Sequence, residues 1–586
     1  MTAYPFFSTM LIDKRKRQLN NQRLPGGTMK KIFLKCALGL GLSFSLAAQD
    51  STTADTVLYG GPIYTAVDST PTAEAVAIKN GRFIYVGDRA GLNTLIGDNT
   101  TEIDLAGSAL YPGFVDGHAH LKGIGNRELT LNLEGVLSIE ELQEALLTWR
   151  EAHPDELVIR GRGWIETHWP EKRFPSRFDI DAVITDIPVI LSRADGHALV
   201  ANSKAFEMAN VTSQTDVPSG GEILQNAVGE LTGIMVDNAQ RLIYPAAVNR
   251  TRYSIEEELI KGGEVYASYG WTGMHNVSVS WDQVSPMESL SDSSQLKIRV
   301  HNSVDPSDAV NLFTGGSRIN ASGRVETRAI KMYIDGALGS RGAALLEPYT
   351  DRPDTSGLLV SQKEDVMPIM QDALRHGYQV NMHAIGDRGT RLVLDWYEEA
   401  FNAVPISERA VANPRWRIEH AQNIHSDDLP RFAALGVVPS MQASHAIGDL
   451  HFAPDRLGDV RLDGAYAWRD LIDAGNIIVG GSDAPVERGN PLIEFYAAVA
   501  RRDLAGFQGD NWRPNQAVTR EEALKMFTLW AAQSVFQEGE LGSIEVGKKA
   551  DLSAFSVDIM TADFADIPTA HAVLTMVDGE IMYVYQ

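Results

Sequence analysis

Apolar and other residues alternate at both ends of the chain, in DTVLYGGPIYT (55–65) with AEAVAIKNGRFIYVG (73–87), and in GKKADLSAFSV (547–557) with AHAVLTMVDGEIMYVY (570–585). Period-two alternation predicts strands, and Asn80-Gly81 and Asp578-Gly579 supply the positive-φ pairs of tight hairpins. The long middle carries short apolar runs separated by helical patterns, at 109–120, 269–278, 296–304, 328–336, 378–387, 415–422, 436–442 and 476–485. Eight strands alternating with helices predict an α/β fold, a (β/α)8 TIM-type barrel, whose chemistry sits at the C-terminal strand ends. Residues 109–121 and 266–537 are assigned to this barrel. Residues 53–108 and 538–586 form a small β-sandwich made by both termini. The interval between the first and second runs is too long for one connection, so 122–265 is an inserted subdomain near the barrel mouth, with Ser138 capping a helix.

With 586 residues the chain exceeds what one core supports. A formal charge of −24 repels phosphate backbones and anionic lipid, which argues against nucleic-acid and membrane-surface partners. The expected partner is a small-molecule substrate, with room left for a homo-oligomer. Lysines and arginines cluster between Asp13 and Arg23 and again from Met29, where MKKIFLKCALGLGLSFSLAAQDS has a charged start, an apolar run too short to span a bilayer, and small residues after it. This is the layout of a signal peptide over 29–48. It makes 1–28 an upstream over-call and the mature protein periplasmic or secreted, with no membrane association after cleavage. Cleavage removes Cys36, the only cysteine, so any metal must be held by nitrogen and oxygen.

The first barrel run ends YPGFVDGHAH. Side chains two apart on a strand face the same way, so His118 and His120 point together at the strand's end and can grip one cation. Other runs aim matching groups at the same volume. Gln379, Asn381 and His383 share a face; so do Trp416, Ile418 and His420; so do Ile477, Val479, Gly481 and Asp483; so do Lys331, Tyr333 and Asp335. A buried lysine with a depressed pKa is neutral and can add carbon dioxide, giving an anionic carbamate that bridges two metals.

The motifs PGFVDGHAH, SRADGHALVANSKA, IKMYIDGALGSR, MHAIGDR, RIEHAQ, GSDAP and LGSIEVGKKADL resemble the amidohydrolase superfamily, and more narrowly amidohydrolase family 3, which includes N-substituted formamide deformylases. They run through residues 57–586. The resemblance implies a metal-dependent (β/α)8 barrel with a composite β-sandwich, and a binuclear centre. His118, His120 and Asp483 would hold one divalent ion, His383 and His420 the other, with carboxylated Lys331 between them. Zinc suits imidazole and oxygen donors, and manganese and iron also fit.

The expected chemistry is hydrolysis of a linear, non-peptide carbon–nitrogen bond, with Asp483 as the catalytic acid/base that carries a proton from water to the leaving nitrogen. A formamide or N-acyl amine is the narrowest substrate implied. The alternatives are a deaminase or cyclic-amide hydrolase, a phosphoester or lactone hydrolase, and a non-catalytic secreted binding protein. His197, His275, Asn276, Trp164, Arg341 and Gln442 are candidates for the substrate pocket, Trp164 with a core role as its rival. His445 has no motif to single it out.

Overall fold

The computed structural model describes residues 33–35, 53–166, 169–194, 196–218, 220–247 and 253–586. The proposed upstream stretch and, apart from the backbone of Phe33–Lys35, the leader-like segment lie outside the described residues.

The chain divides into two units, one of them residues 122–261. In the other unit eight parallel strands run side by side in one sheet: β1 (Phe114–Ala119), β2 (Trp271–Val279), β3 (Arg299–Val304), β4 (Val325–Tyr333), β5 (Gln379–Ala384), β6 (Arg417–His420), β7 (Val438–Gln442) and β8 (Val479–Gly481). Asp483 N donates to His118 O at 2.7 Å and His120 N to Ala484 O at 2.8 Å, which ties the last strand to the first. That approach requires glycine. A Cβ on Gly117 would lie 2.6 Å from Gly480 O, and one on Gly481 would lie 2.5 Å from His118 N. The result is a nearly closed barrel, with each predicted run contributing one strand.

Helices alternate with the strands and cover the outside. In α1 (Asp387–Ala403) the buried residues Thr390, Val393, Leu394, Tyr397 and Ala400 recur at the three- and four-residue spacing of one face. Tyr397 packs edge-on against Trp416, with ring centroids 4.8 Å apart, and donates to Arg417 O at 2.9 Å. Trp416 and Ile418 therefore face this helix layer. Arg417 and Glu419 face the barrel interior, opposite to the face predicted for β6.

The run 109–120 is two strands. Ala109–Pro112 belongs to a sheet built from both ends of the chain, and β1 begins after Gly113. Gly113 N donates to Asp551 O at 2.8 Å, so the chain passes from one sheet to the other at that residue. The terminal sheet is continuous and branched at Thr56–Tyr64, and its hydrogen-bond ladder includes 552–555, 572–577 and 580–584. Both predicted hairpins are present, with Asn80 and Gly81 at φ 49° and 73° and Asp578 and Gly579 at 49° and 74°. Arg299 pairs with Asp551 at 2.6 Å, and Arg324 with Asp578 at 2.8 Å, so charged pairs join β3 and the segment before β4 to this sheet.

The unit 122–261 has its own six-stranded mixed sheet and its own core, centred on Leu142, Leu146, Ile159, Trp164, Trp169, Leu191 and Val200. Ser138 Oγ accepts from Glu141 N at 3.1 Å and caps Ile139–Ala152 as the sequence predicts.

Candidate metal centre

The C-terminal ends of β1, β6 and β8 bring His118, His420 and Asp483 together, each buried, with one donor atom apiece lying within 4.8 Å of the others. His120 joins them, its Nε2 3.1 Å from Asp483 Oδ1. His383 stands 4.5 Å from His420, ring centroid to centroid. Lys331 is buried beside Tyr333, its Nζ 4.3 Å from the ring centroid. Its charge works against protonation of His118, His120 and His420, so it lies in the same electrostatic neighbourhood.

Three of these imidazoles have their tautomers set from behind. His118 Nδ1 lies 2.5 Å from Glu419 Oε2, His120 Nδ1 3.1 Å from Val277 O, and His420 Nδ1 2.8 Å from Gln442 Oε1. A carboxylate, a backbone carbonyl and an amide oxygen can only accept, so each Nδ1 donates and each Nε2 lone pair is left facing the centre. His118 Nε2 is buried, with no hydrogen-bond partner among the described residues, 3.4 Å from Asp483 Oδ1. Lone pairs and a carboxylate converging in a buried volume repel one another unless a cation or a proton lies between them. The donor set fits a divalent ion with nitrogen and oxygen preference.

The ionisation tendencies follow from the same contacts. Burial pushes the Asp483 carboxyl up, but the imidazoles of His118 and His120 outweigh it and hold it well below the usual carboxylate range. Burial and the charges of His383 and His118 keep His420 neutral, well below the ordinary imidazole value. For His118, burial and Lys331 oppose protonation, and Glu419 and Asp483 more than offset them, so without a cation a proton takes the place on Nε2 that a cation would fill.

His420 reaches the centre by a local break in the strand. By alternation it would follow Trp416 and Ile418 outward, but its φ is 73° and that of Ala421 is 45°. The left-handed turn swings the imidazole back over the barrel end, at a backbone cost of roughly 1–3 kcal/mol. Asp483 has φ 59° and stands two residues past the paired strand.

Beneath His118 lies a charged network that the sequence reading passed over. Glu419 is fully buried and accepts from both His118 and Arg417 Nε, the latter at 2.7 Å. Arg417 is also fully buried and donates to His275 Nδ1, to Gly117 O and to Ser440 Oγ. A carboxylate behind a ligand histidine fixes the ring and strengthens it as a donor. The signal was the Arg417/Glu419 pair itself, two charges on one face of an otherwise apolar strand. Glu419→Gln is expected to weaken divalent-metal affinity by about 10–100-fold, measured by competition with a chromogenic chelator.

His445 is the second omission. It lies on Ala443–Asp449, directly after β7, with its ring stacked 6.0 Å from that of His420. A histidine three residues beyond a C-terminal strand end is where a barrel puts its chemistry. The backbone N–H of neighbouring Ser444 donates to Glu494 Oε2 at 3.0 Å. Burial, more than the nearby Glu487 and Asp116, pushes the Glu494 carboxyl well above its ordinary value. Its contribution to stability is therefore full below the unfolded carboxyl pKa and is lost as pH rises through the raised folded value. Glu494→Gln is expected to remove that loss, visible as a flatter profile of Tm as pH rises above the ordinary carboxyl range than the parent shows.

The remaining pocket candidates have other engagements. Gln442 is fully buried and orients His420. Asn276 faces the helix layer, its amide 3.6 Å from Met287 Sδ and its oxygen accepting from Leu121 N. β2 continues to Val279, so His275 lies inside the strand, buried against Arg417, and not at its end. Arg341 pairs with Asp351 at 2.7 Å in the loop after β4. Trp164 is fully buried in the core of the 122–261 unit and donates to Leu191 O, the core role weighed for it. His197, in the same unit, has Nδ1 2.7 Å from Asp237 Oδ1.

Comparison with known proteins agrees with this geometry. The model of the amidohydrolase family matches residues 101–583. The amidohydrolase YtcJ of Bacillus subtilis (strain 168) is 32% identical over 534 residues, covering 90% of this chain and 99% of that protein. An N-substituted formamide deformylase from Arthrobacter pascens is 25% identical over 538 residues, covering 87% and 95%. Among solved structures, a metal-dependent hydrolase from Pyrococcus horikoshii OT3 superposes with a TM-score of 0.72 at 27% identity, covering 87% of this chain and 99% of that one. The chain belongs to the amidohydrolase family, and it is a metal-dependent hydrolase of carbon–nitrogen bonds.

Proposed function

We propose that the protein hydrolyses a linear, non-peptide amide, of the N-formyl or N-acyl amine class, at a centre of two divalent ions. The observation that carries this reading is the convergence of imidazole lone pairs on the Asp483 carboxylate, with His118 Nε2 buried and unpartnered. His118, His120 and Asp483 would hold one ion and His383 and His420 the other, with Lys331 carrying a carbon dioxide-derived carbamate between them. Zinc suits this donor set. The ions supply, when bound, a water acidic enough to ionise near neutral pH and an electrophile for the amide oxygen.

The chain's own residues do the rest. Glu419, Gln442 and the carbonyl of Val277 hold three imidazoles in the tautomer that presents Nε2. Asp483 Oδ1 faces His118 and His120, while Oδ2 faces His445. The carboxylate is thus placed to accept a proton from the attacking water on one side and release it to the leaving nitrogen on the other. The choice of a formamide or acylated amine is supported by the likeness to the Arthrobacter pascens deformylase. Export to the periplasm or beyond rests on the leader pattern at 29–48.

The test is a panel of N-formyl and N-acetyl amines, cyclic amides, aminopurines, lactones and phosphoesters, assayed with zinc- or manganese-loaded protein. Release of formate or acetate from the linear amides, abolished by a chelator and restored by metal, is expected. Turnover confined to aminopurines or phosphoesters would move the protein to another reaction class.

A further inference from the structure

His445 is nine-tenths buried. Its Nδ1 lies 3.2 Å from Gln422 Nε2, an amide nitrogen that can only donate, so Nδ1 is an acceptor and the ring proton sits on Nε2. Nε2 is itself buried and has no hydrogen-bond partner among the described residues. It faces the carboxylates of Asp483, Oδ2 at 3.8 Å, and Glu487, Oε1 at 3.9 Å, both beyond hydrogen-bond length. The ring lies parallel to that of His420, with centroids 6.0 Å apart and an interplanar angle of 15°, and its helix is held by Ser444 N on the buried Glu494. A fixed N–H donor pointing at the edge of the centre, with no acceptor of its own, costs about 1–3 kcal/mol while it stays unmet. Bound substrate can meet it.

We propose that His445 contacts the substrate directly, its Nε2–H donating a hydrogen bond to the acyl oxygen of the bound amide beside Asp483 Oδ2. This rests on the amide-hydrolase reading and assigns that site a donor placed in advance. The donor comes from the helix after β7. The imidazoles that surround Asp483 Oδ1 differ from it in role, since their Nδ1 protons point away from the centre and their Nε2 atoms accept. A donor fixed before substrate arrives strengthens as negative charge grows on the acyl oxygen, and such donors contribute about 10²–10³ to turnover.

The test compares the metal-loaded full chain with His445→Leu, which keeps volume without a donor, and His445→Gln, whose Nε2 can reach the position of the lost imidazole nitrogen. Acetohydroxamate is the binding probe, because its acyl oxygen mimics that of the amide and its binding needs no turnover. His445→Leu is expected to bind it about 10-fold more weakly and to lose about 10²-fold in kcat/KM, with metal content and Tm unchanged. His445→Gln should recover most of both. Equal acetohydroxamate affinity in parent and His445→Leu overturns the proposal, as does equal impairment in the Leu and Gln variants, which marks a packing role. A parent that hydrolyses no amide overturns the amide-hydrolase reading, while the acetohydroxamate comparison still decides whether His445 donates. A parent that binds no acetohydroxamate overturns both.

Discussion

Asp483→Asn is expected to lower kcat by about 10³-fold or more while leaving a folded chain. A positioned acid/base contributes about 10²–10⁴, and here the same carboxylate also faces the imidazoles that converge on the centre. The substitution is nearly isosteric. The backbone bond from residue 483 N to His118 O, which helps close the barrel, involves no side-chain atom and is retained. What is lost is the charge. The held-down pKa of Asp483 means that the ionised form is the one His118 and His120 favour after burial is overcome. Asparagine can neither take a proton from water nor neutralise a cation. Steady-state kinetics with metal content and Tm measured on the same sample separate the effects: kcat should collapse, metal content should fall less, and Tm should show a folded protein. An Asp483→Asn chain that turns over at the parent rate removes this carboxylate from proton transfer.

Lys331→Met is expected to reduce bound metal from two ions per chain to one and kcat/KM by about 10²-fold or more. Loss of one ion's charge stabilisation is worth several kcal/mol, and each 1.36 kcal/mol is a factor of ten. Methionine fills the buried volume without an amine, so packing changes little. Lys331 is buried and its charge opposes protonation of three of the clustered imidazoles. Left as an ammonium, it would repel any cation held there. The proposed carboxylation would turn that liability into a ligand. The parent stripped of metal and bicarbonate should therefore take up its second ion only when bicarbonate is returned, and Lys331→Met should be indifferent to it. Equal metal stoichiometry in parent and variant would leave Lys331 without a bridging role.

The barrel was legible because each parallel strand is buried on both faces and reads as a short apolar run between helical patterns. The passage at Gly113 was not, because two strands of different sheets meet there with one residue between them, and no break in hydropathy marks the change. At β6 alternation put His420 inward together with Trp416 and Ile418. The imidazole does point inward, but through a left-handed φ that no side-chain pattern encodes, and its supposed companions face the helices. Glu419 and Arg417 were missed for the same reason, since the strand was assigned the wrong face. Gln442 and Asn276 were visible as polar groups near strand ends. Whether such a group meets substrate, a neighbouring imidazole or the helix layer is decided by packing across elements far apart in sequence. His445 was set aside for want of a motif, although its distance past β7 was a usable sign.

Elemental analysis of divalent metal per folded chain, after equilibration with zinc and bicarbonate and removal of free ion, bears on the whole arrangement at once. Two equivalents are expected, falling to one in Lys331→Met. A chain that keeps its Tm and retains no stoichiometric metal would contradict the assignment of the clustered imidazoles and Asp483 as a metal centre.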